Sequence, residues 1–111
     1  MKTAVFVSGP YTQGNVKENI KKSIVVADKL IEAGFLPLVP HLWYYIEKHN
    51  KRDYDTWFNL ASALLDRADC LLRMPGESPR ADREVEKAVE LGMPIFNSIE
   101  DLLEALPDGN I

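Results

Sequence analysis

Thr3-Ala-Val-Phe-Val-Ser8, followed by Gly9-Pro10, is the stretch that decides the fold class. Its first six residues form a short run of apolar and β-branched side chains, which is typical of a buried strand. Gly9 and Pro10 then end the run in a loop. Because a helical pattern begins only a few residues later, the stretch predicts the first strand of a β-α-β unit.

The helix predicted after this strand covers residues 16–33, where apolar side chains recur at helical spacing and Gly34 stands at the C-terminal cap position. Its apolar residues are Ile20, Ile24, Ala27 and Ile31.

The alternation of strand and helix continues to the end of the chain. Pro37 shortens the second strand and predicts an edge position for it, and residues 43–52 are expected to form a short helix and a loop. The order βαβαβαβα predicts an α/β fold, a small doubly wound, Rossmann- or flavodoxin-like parallel sheet of about four strands with helices on both faces. The further strands are predicted at 35–39, 68–74 and 93–97, and the further helices at 53–67, 79–91 and 98–106.

Composition excludes several classes of protein. The 111 residues predict a single domain, 1–111, with 46% hydrophobic and 27% charged residues. A formal net charge of -4 without a basic stripe argues against a nucleic acid polymer as partner. Since no apolar run approaches the roughly 20 residues of a membrane span, we expect no membrane and a cytoplasmic location. Cys70, the sole cysteine, lies in an apolar run and is expected to be a buried, inert thiol.

Ligands of doubly wound sheets bind beyond the carboxyl ends of the strands, and three loops follow strands there: 8–15, the segment at His41, and 75–80. The first loop is rich in glycine and small polar residues, so its backbone amides and the helix behind it suit a phosphate or a sugar hydroxyl. It matches neither the dinucleotide fingerprint nor the Walker loop, and a plain strand-to-helix turn explains its glycines equally well. Its candidate binding residues are Ser8, Gly9, Gly14 and Asn15.

Glu84 is the candidate catalytic residue of the third loop and its helix. At 100° per residue it falls about 85° from the centre of the apolar face formed by residues 81, 85, 88 and 89. A carboxylate at the edge of the core and facing the strand ends suits a nucleophile or a base. The alternative is a boundary residue paired with Arg80 or Lys87.

Several short motifs, taken together, resemble the nucleoside 2-deoxyribosyltransferase superfamily, above all its short members and the nucleoside 5′-monophosphate N-glycosidases. The resemblance covers nearly the whole chain in the right order. The motifs are Val7-Ser8-Gly9-Pro10-Tyr11, Ala68-Asp69, Met74-Pro75-Gly76-Glu77, Ser78-x-x-Ala81-x-x-Glu84 and Gly92-Met93-Pro94-Ile95.

The resemblance implies an enzyme that cleaves the base–sugar bond of a nucleoside or a nucleoside 5′-monophosphate. It implies that Glu84 attacks the anomeric carbon in a retaining double displacement and that Tyr11 hydrogen-bonds to and orients that carboxylate. At the position of Ser78 the transferases have aspartate and the monophosphate hydrolases have serine, so the resemblance favours a hydrolase-like, phosphate-tolerant site. A role of Ser78 as a helix N-cap alone explains it equally well. No cofactor is implied, and relatives form dimers or larger assemblies, so we expect a homo-oligomer.

Two positions depart from the pattern of that superfamily. Ala61 replaces an aspartate that contacts the sugar hydroxyls, which leaves open the alternative of a non-catalytic nucleotide-binding module. Arg80 replaces a glycine, and it either adds a phosphate partner or partly fills the pocket.

Aromatic residues after the second strand are candidates for a wall against which a base stacks. They are His41, Trp43, Tyr44 and Trp57, although core or dimer packing is the stronger expectation for Trp57. His41 and His49 have no acidic or cysteine companions at metal-ligand spacing, so we expect no metal.

Overall fold

The computed structural model describes residues 2–107, in which strands and helices alternate along the chain. A 3₁₀ turn, Pro40–Trp43, precedes the short helix predicted within residues 43–52. The strands are β1 (Ala4–Ser8), β2 (Leu36–Leu38), β3 (Cys70–Arg73) and β4 (Ile95–Phe96), and the helices are α1 (Val16–Glu32), α2 (Tyr44–His49), α3 (Tyr54–Asp66), α4 (Pro79–Glu90) and α5 (Ile99–Ala105).

The four strands form one parallel sheet in the order β2-β1-β3-β4. The predicted doubly wound α/β fold is therefore confirmed. β2 lies at the edge, as Pro37 predicts, because a proline lacks the N–H that a second neighbour would require. In the centre β1 pairs with β3 from Val5↔Cys70 to Ser8↔Arg73, so both strands end at the same edge of the sheet.

Helices cover both faces of the sheet. On one face Leu30 of α1 and Leu102 of α5 pack with Val5 and Val7 of β1. On the other face Phe6 of β1 packs with residues of α3 and α4. Val5, Phe6 and Val7 are completely buried, which is the burial expected of a central parallel strand covered on both sides.

The apolar stripe of α1 is displaced from the face that the helix buries. Ile24 and Ile31 are 44% and 59% exposed, whereas Ile20, Ser23 and Leu30 are buried. Since residues advance by about 100° each, Ile31 lies roughly 100° around the helix from Leu30. The helix packs through Leu30, and the outer part of the predicted stripe faces outward.

Side-chain caps begin the helices as the sequence predicts. Ser78 Oγ accepts from the Ala81 amide and Ser98 Oγ accepts from the Asp101 amide, at 3.1 Å each. Asp53 caps α3. These caps satisfy amides that have no partner within the helix, and the cap at Ser78 fixes where α4, the helix of Glu84, begins.

Two further findings bear on the sequence predictions. None of the helices within residues 2–107 is long and apolar enough to cross a membrane. Cys70 is 1% exposed, and burial, helped by the charge of Asp69, raises the pKa of its thiol to about 11. The thiolate is therefore absent at neutral pH, in agreement with an inert thiol.

The starts of the two central strands are joined by reciprocal hydrogen bonds. The Ala4 amide donates to Asp69 Oδ2 at 2.7 Å, and the Asp69 amide donates to the Ala4 carbonyl at 2.8 Å. Asp69→Ala leaves the buried Ala4 amide without its acceptor, so we expect a loss of about 1–3 kcal/mol in the free energy of unfolding, measured by urea denaturation.

Asp28→Ala is the matched control for this substitution, because Asp28 is exposed on α1. It should change the free energy of unfolding by no more than about 0.5 kcal/mol. Equal losses in the two variants would contradict a specific role for Asp69.

Candidate functional site

The candidate site lies where β1 and β3 end side by side. The chain leaves β1 toward α1 on one face of the sheet and leaves β3 toward α4 on the other, so a crevice opens between them. Ser8, the last residue of β1, donates its hydroxyl to Glu84 Oε1 of α4 at 2.8 Å. The strand end and the carboxylate, 76 positions apart in the sequence, therefore meet directly.

Glu84 is largely withdrawn from solvent, with a side chain 11% exposed. Burial raises the pKa of its carboxyl group, while the Ser8 hydroxyl and the charges of Arg80 and Arg73 act in the opposite direction. Arg80 Nε lies 3.9 Å from Glu84 Oε2. The carboxylate is thus desolvated but held by a hydrogen bond and a nearby cation, an environment that suits a nucleophile or a base.

Tyr11 lies over the same crevice but does not hydrogen-bond to Glu84, as the resemblance implies that it should. Its ring packs edge-on against His41 at a centroid distance of 6.0 Å, and the Arg80 guanidinium lies 5.9 Å from the ring centre. Burial is the main cause that raises the pKa of Tyr11, so its hydroxyl stays protonated at neutral pH. In this structure Ser8 orients the carboxylate, and Tyr11 lines the same small cavity as Glu84.

His41 is buried, at 5% exposure, and its Nε2 lies 3.1 Å from the Pro10 carbonyl. Because a carbonyl only accepts, Nε2 carries the proton, and in the neutral ring Nδ1 is an acceptor. Within the described part of the chain, buried Nδ1 has no hydrogen-bond partner. Burial also lowers the pKa of His41, so the ring is neutral at pH 7 and offers a free acceptor.

Three adjoining spaces surround these residues, and Tyr11 and Arg80 line all of them. The central cavity, about 20 Å³, is lined by Val7, Gly9, Tyr11, Pro40, His41, Arg80 and Glu84. The aromatic cleft, about 620 Å³, includes Trp43, Tyr44, Trp57, Lys48, Lys51 and Arg52 in its walls. The serine cleft, about 300 Å³, includes Ser78, Pro79, Arg83 and Tyr54. Arg80 therefore lines the central cavity and both clefts.

Ser78 and Arg80 come together at the N-terminus of α4, where the helix dipole favours an anion. Arg73 stabilises the turn before this helix, donating from Nη2 to the Gly76 carbonyl and to Asp82 Oδ1 at 3.0 Å each. The serine cleft thus has the chemistry of a phosphate site, although the Ser78 hydroxyl already accepts from the helix backbone.

The first loop contributes less to the site than the sequence predicts. Gly9 lines the central cavity and packs so closely that an added Cβ would lie 2.7 Å from Met74 Cε. Gly14 and Asn15 instead line a separate groove on the α1 side, and Asn15 caps α1 by accepting from the Glu18 amide. These two predicted binding residues are therefore not brought together with Glu84.

Asn19 is a supporting residue that the sequence analysis missed. Its amide donates to the Tyr11 carbonyl at 2.9 Å and to the Gln13 carbonyl at 2.8 Å, which fixes the loop that carries Tyr11. The position of Asn19 in the sequence, four residues after Asn15 and near the start of α1, could have indicated this role, because a polar side chain there reaches the preceding loop.

Three of the residues expected to form a wall, Trp43, Tyr44 and Trp57, line the aromatic cleft, whereas His41 lines the central cavity instead. Trp43 and Trp57 stack at a centroid distance of 5.9 Å, and Trp57 Nε1 donates to Glu47 Oε1 at 2.9 Å. Trp57, expected in the core or in a dimer contact, is partly buried and forms part of this cleft. Planar faces beside cations suit an aromatic, negatively charged ligand.

Position 61 belongs to the core in this chain. Ala61 is 2% exposed and packs with Phe6, Leu65 and Leu71, and it also borders a cavity of about 20 Å³ that touches Glu84. Within the described residues no second carboxylate lines either cavity at Glu84.

Residues 2–107 also contain no group of three or more His, Cys, Asp or Glu side chains arranged to hold a metal ion.

Residues 3–98 match the model of a protein family described as a domain of unknown function, DUF7768. The match extends from the start of the sheet to the cap of α5, and the chain belongs to this family. No curated protein matches the chain.

Burial of Glu84 has a measurable effect on stability. Its folded-state pKa is raised, so the folded protein binds the proton more tightly than the unfolded chain, and stability falls as the pH rises through the folded pKa. Glu84→Gln removes this loss and keeps an acceptor for Ser8. We expect a higher Tm than wild type at pH 7 and a difference that shrinks as the pH falls through the raised folded pKa toward 4.5, the ordinary glutamate value.

The control is Glu86→Gln, since Glu86 is exposed on the same helix. Scanning calorimetry of the three proteins between pH 4 and 8 measures the effect. A lower Tm for Glu84→Gln at pH 7 would show that ion pairing at Glu84 outweighs its desolvation.

Proposed function

We propose that the protein cleaves or transfers the N-glycosidic bond of a nucleoside or a nucleoside 5′-monophosphate, with Glu84 as the covalent nucleophile. The observation that carries the proposal is the Glu84 carboxylate, 11% exposed and held by Ser8 at the strand ends, between an aromatic cleft and a helix N-terminus. The type of reaction is taken from the motif resemblance, and the geometry around Glu84 supports it.

In the proposed first step a Glu84 oxygen bonds to the anomeric carbon as the carbon–nitrogen bond breaks. The electron pair leaves with the base, which takes up a proton. In the second step water, or a second base, attacks the same carbon and loses a proton as the ester bond to Glu84 breaks and the carboxylate is restored, so configuration is retained. Desolvation of the carboxylate favours the attack, because less water has to be displaced from it.

The surrounding groups have separate roles in this proposal. Ser8 holds the carboxylate in one rotamer, since its hydroxyl donates to Oε1. The 5′-phosphate docks in the serine cleft on the Arg80 side chain, since Pro79 has no N–H and the Ala81 amide already donates to Ser78 Oγ. The base lies toward Tyr11 and Tyr44 in the aromatic cleft, and the free Nδ1 of His41 accepts a hydrogen bond from the substrate.

The proposed setting is a homo-oligomer in the cytoplasm. Exposed apolar side chains on α1 and on the edge strand β2, namely Ile24, Ile31 and Leu36, support self-association through this side of the molecule. The buried, unpaired Cys70 agrees with a reducing compartment.

Base release from a panel of nucleosides and their 5′-monophosphates tests the proposal. We expect at least one member to release free base, detected by chromatography, and Glu84→Ala to lower the rate by on the order of 10³-fold or more. Mass spectrometry of the quenched reaction should detect a glycosyl ester on the peptide that contains Glu84.

Glu86→Ala is the control and should retain the wild-type rate, because Glu86 is exposed on the same helix. The proposal is wrong if no member of the panel releases base, or if Glu84→Ala is fully active.

A second candidate is a nucleotide-binding module without turnover, which the apolar core position of Ala61 favours. It predicts that nucleotides raise the Tm by binding the folded state, while no base is released. The same panel, read by differential scanning fluorimetry, distinguishes the two functions.

A further inference from the structure

The aromatic cleft contains more positive charge than a single phosphate requires. Lys48, Lys51 and Arg52 line it together with Arg80, which also faces the serine cleft. The whole chain carries a net charge of -4, so this cluster of cations has a sign opposite to the net charge of the protein. A cluster of one sign in a cleft attracts a ligand of the opposite sign.

The three cations of α2 and the segment after it are compensated only in part, by one carboxylate: hydrogen bonds from the Arg52 amide and Trp57, and then the charges of Lys51 and Arg52, lower the pKa of Glu47. Within residues 2–107, none of Lys48, Lys51 and Arg52 forms an ion pair with a carboxylate. Lys48 Nζ lies 5.3 Å from the centre of the Tyr44 ring, inside the same cleft. Their charges therefore remain available to a ligand that also contacts the aromatic wall.

Glu47 is the acidic residue that lines this cleft, and it is already engaged. Its carboxylate accepts from the Arg52 amide at 2.9 Å and from Trp57 Nε1 at 2.9 Å. These bonds hold the segment after α2 against α3 and so fix the backbone that carries Lys51 and Arg52. Glu47 is one carboxylate beside four cations, and its oxygens already accept hydrogen bonds from the protein. The cleft therefore keeps an excess of positive charge.

The serine cleft offers an anion site separate from this cluster. It combines the N-terminus of α4 with Arg80 and Arg83, and it meets the aromatic cleft at Tyr11, Thr12 and Tyr54. Arg83 Nη1 donates to the Tyr54 hydroxyl at 3.3 Å, which places the two clefts on either side of one tyrosine. The site as a whole thus presents two groups of cations with the central cavity of Glu84 beside them.

We propose that the natural ligand of this site is a nucleotide that carries a second phosphate group, bound by Lys48, Lys51 and Arg52, in addition to the phosphate in the serine cleft. The inference rests on the proposed function for the identity of the ligand as a nucleotide. It specifies the substrate class: the 5′-diphosphate, the 5′-triphosphate and the 3′,5′-bisphosphate share the required chemistry, and a nucleoside or monophosphate lacks it.

Isothermal titration calorimetry with the four common bases, each as nucleoside, 5′-monophosphate, 5′-diphosphate, 5′-triphosphate and 3′,5′-bisphosphate, tests the inference. At least one ligand with two or more phosphates should bind about tenfold or more tightly than its monophosphate, because the three exposed cations each add a modest attraction. The gain should shrink as the salt concentration rises. The form that binds most tightly identifies where the second phosphate is attached.

The variant Lys48→Gln/Lys51→Gln/Arg52→Gln should abolish that gain, and Lys17→Gln, at an exposed lysine of α1, should leave it unchanged. All three substituted side chains are exposed, so the Tm of the variant should match wild type. Equal or weaker binding of every multiply phosphorylated ligand overturns the inference, and so does a gain that survives in the triple variant.

The outcome is separable from that of the proposed function. Tight, cation-dependent binding without base release from any ligand, the multiply phosphorylated ones included, supports a site for multiply phosphorylated nucleotides and rejects the glycosidase. Base release from monophosphates, with no preference for a second phosphate, supports the glycosidase and rejects the role given to the three cations.

Discussion

The parallel pairing of β1 with β3 is the constraint on which the rest of the structure depends. Both strands are buried on both faces, so helices must cover each side of the sheet. Because the strands run in the same direction, Ser8 and Arg73 end together, and the chain then departs toward opposite faces. The crevice between those departures is the place where Glu84 of α4 contacts the end of β1. Fold and site are thus two consequences of one strand pair.

The electrostatics of Glu84 follow from this placement. A carboxylate beside the core loses hydration, which raises its pKa, and the protein offsets part of the cost with the Ser8 hydroxyl and the charge of Arg80. Arg80 also lies over Tyr11 and lines both clefts, so under the proposed function an anionic ligand would compete with Glu84 for it. Such competition would draw Arg80 away from the Glu84 carboxylate when the phosphate binds. A glycine at the same position has no side chain that could do this.

The sequence predicted those features that depend on local pattern and missed those that depend on exact rotation or distant contacts. Pro37 predicted an edge strand because its missing N–H acts locally, and helix phase put Glu84 at the edge of the core. The buried face of α1 differs from the predicted one because apolar spacing defines only a broad stripe along the helix, and Ile31 lies on the exposed side of that stripe. Ser8 as the partner of Glu84, and Asn19 as the anchor of the loop before α1, depend on side chains meeting across the fold. Contacts of this kind leave no periodic pattern in the sequence.

The absence of an acid at position 61 changes what the proposed chemistry requires of its neighbours. Ala61 is packed into the core, and no second carboxylate lines the cavities at Glu84 within residues 2–107. Neutral His41 has its proton committed to the Pro10 carbonyl and presents only an acceptor. Tyr11 lines the central cavity, and burial, as the main cause, keeps its pKa raised and its hydroxyl protonated. Under the proposed reaction the departing base therefore draws its proton from Tyr11 or from solvent, so a base that leaves readily suits this site better than one that depends on a strong general acid.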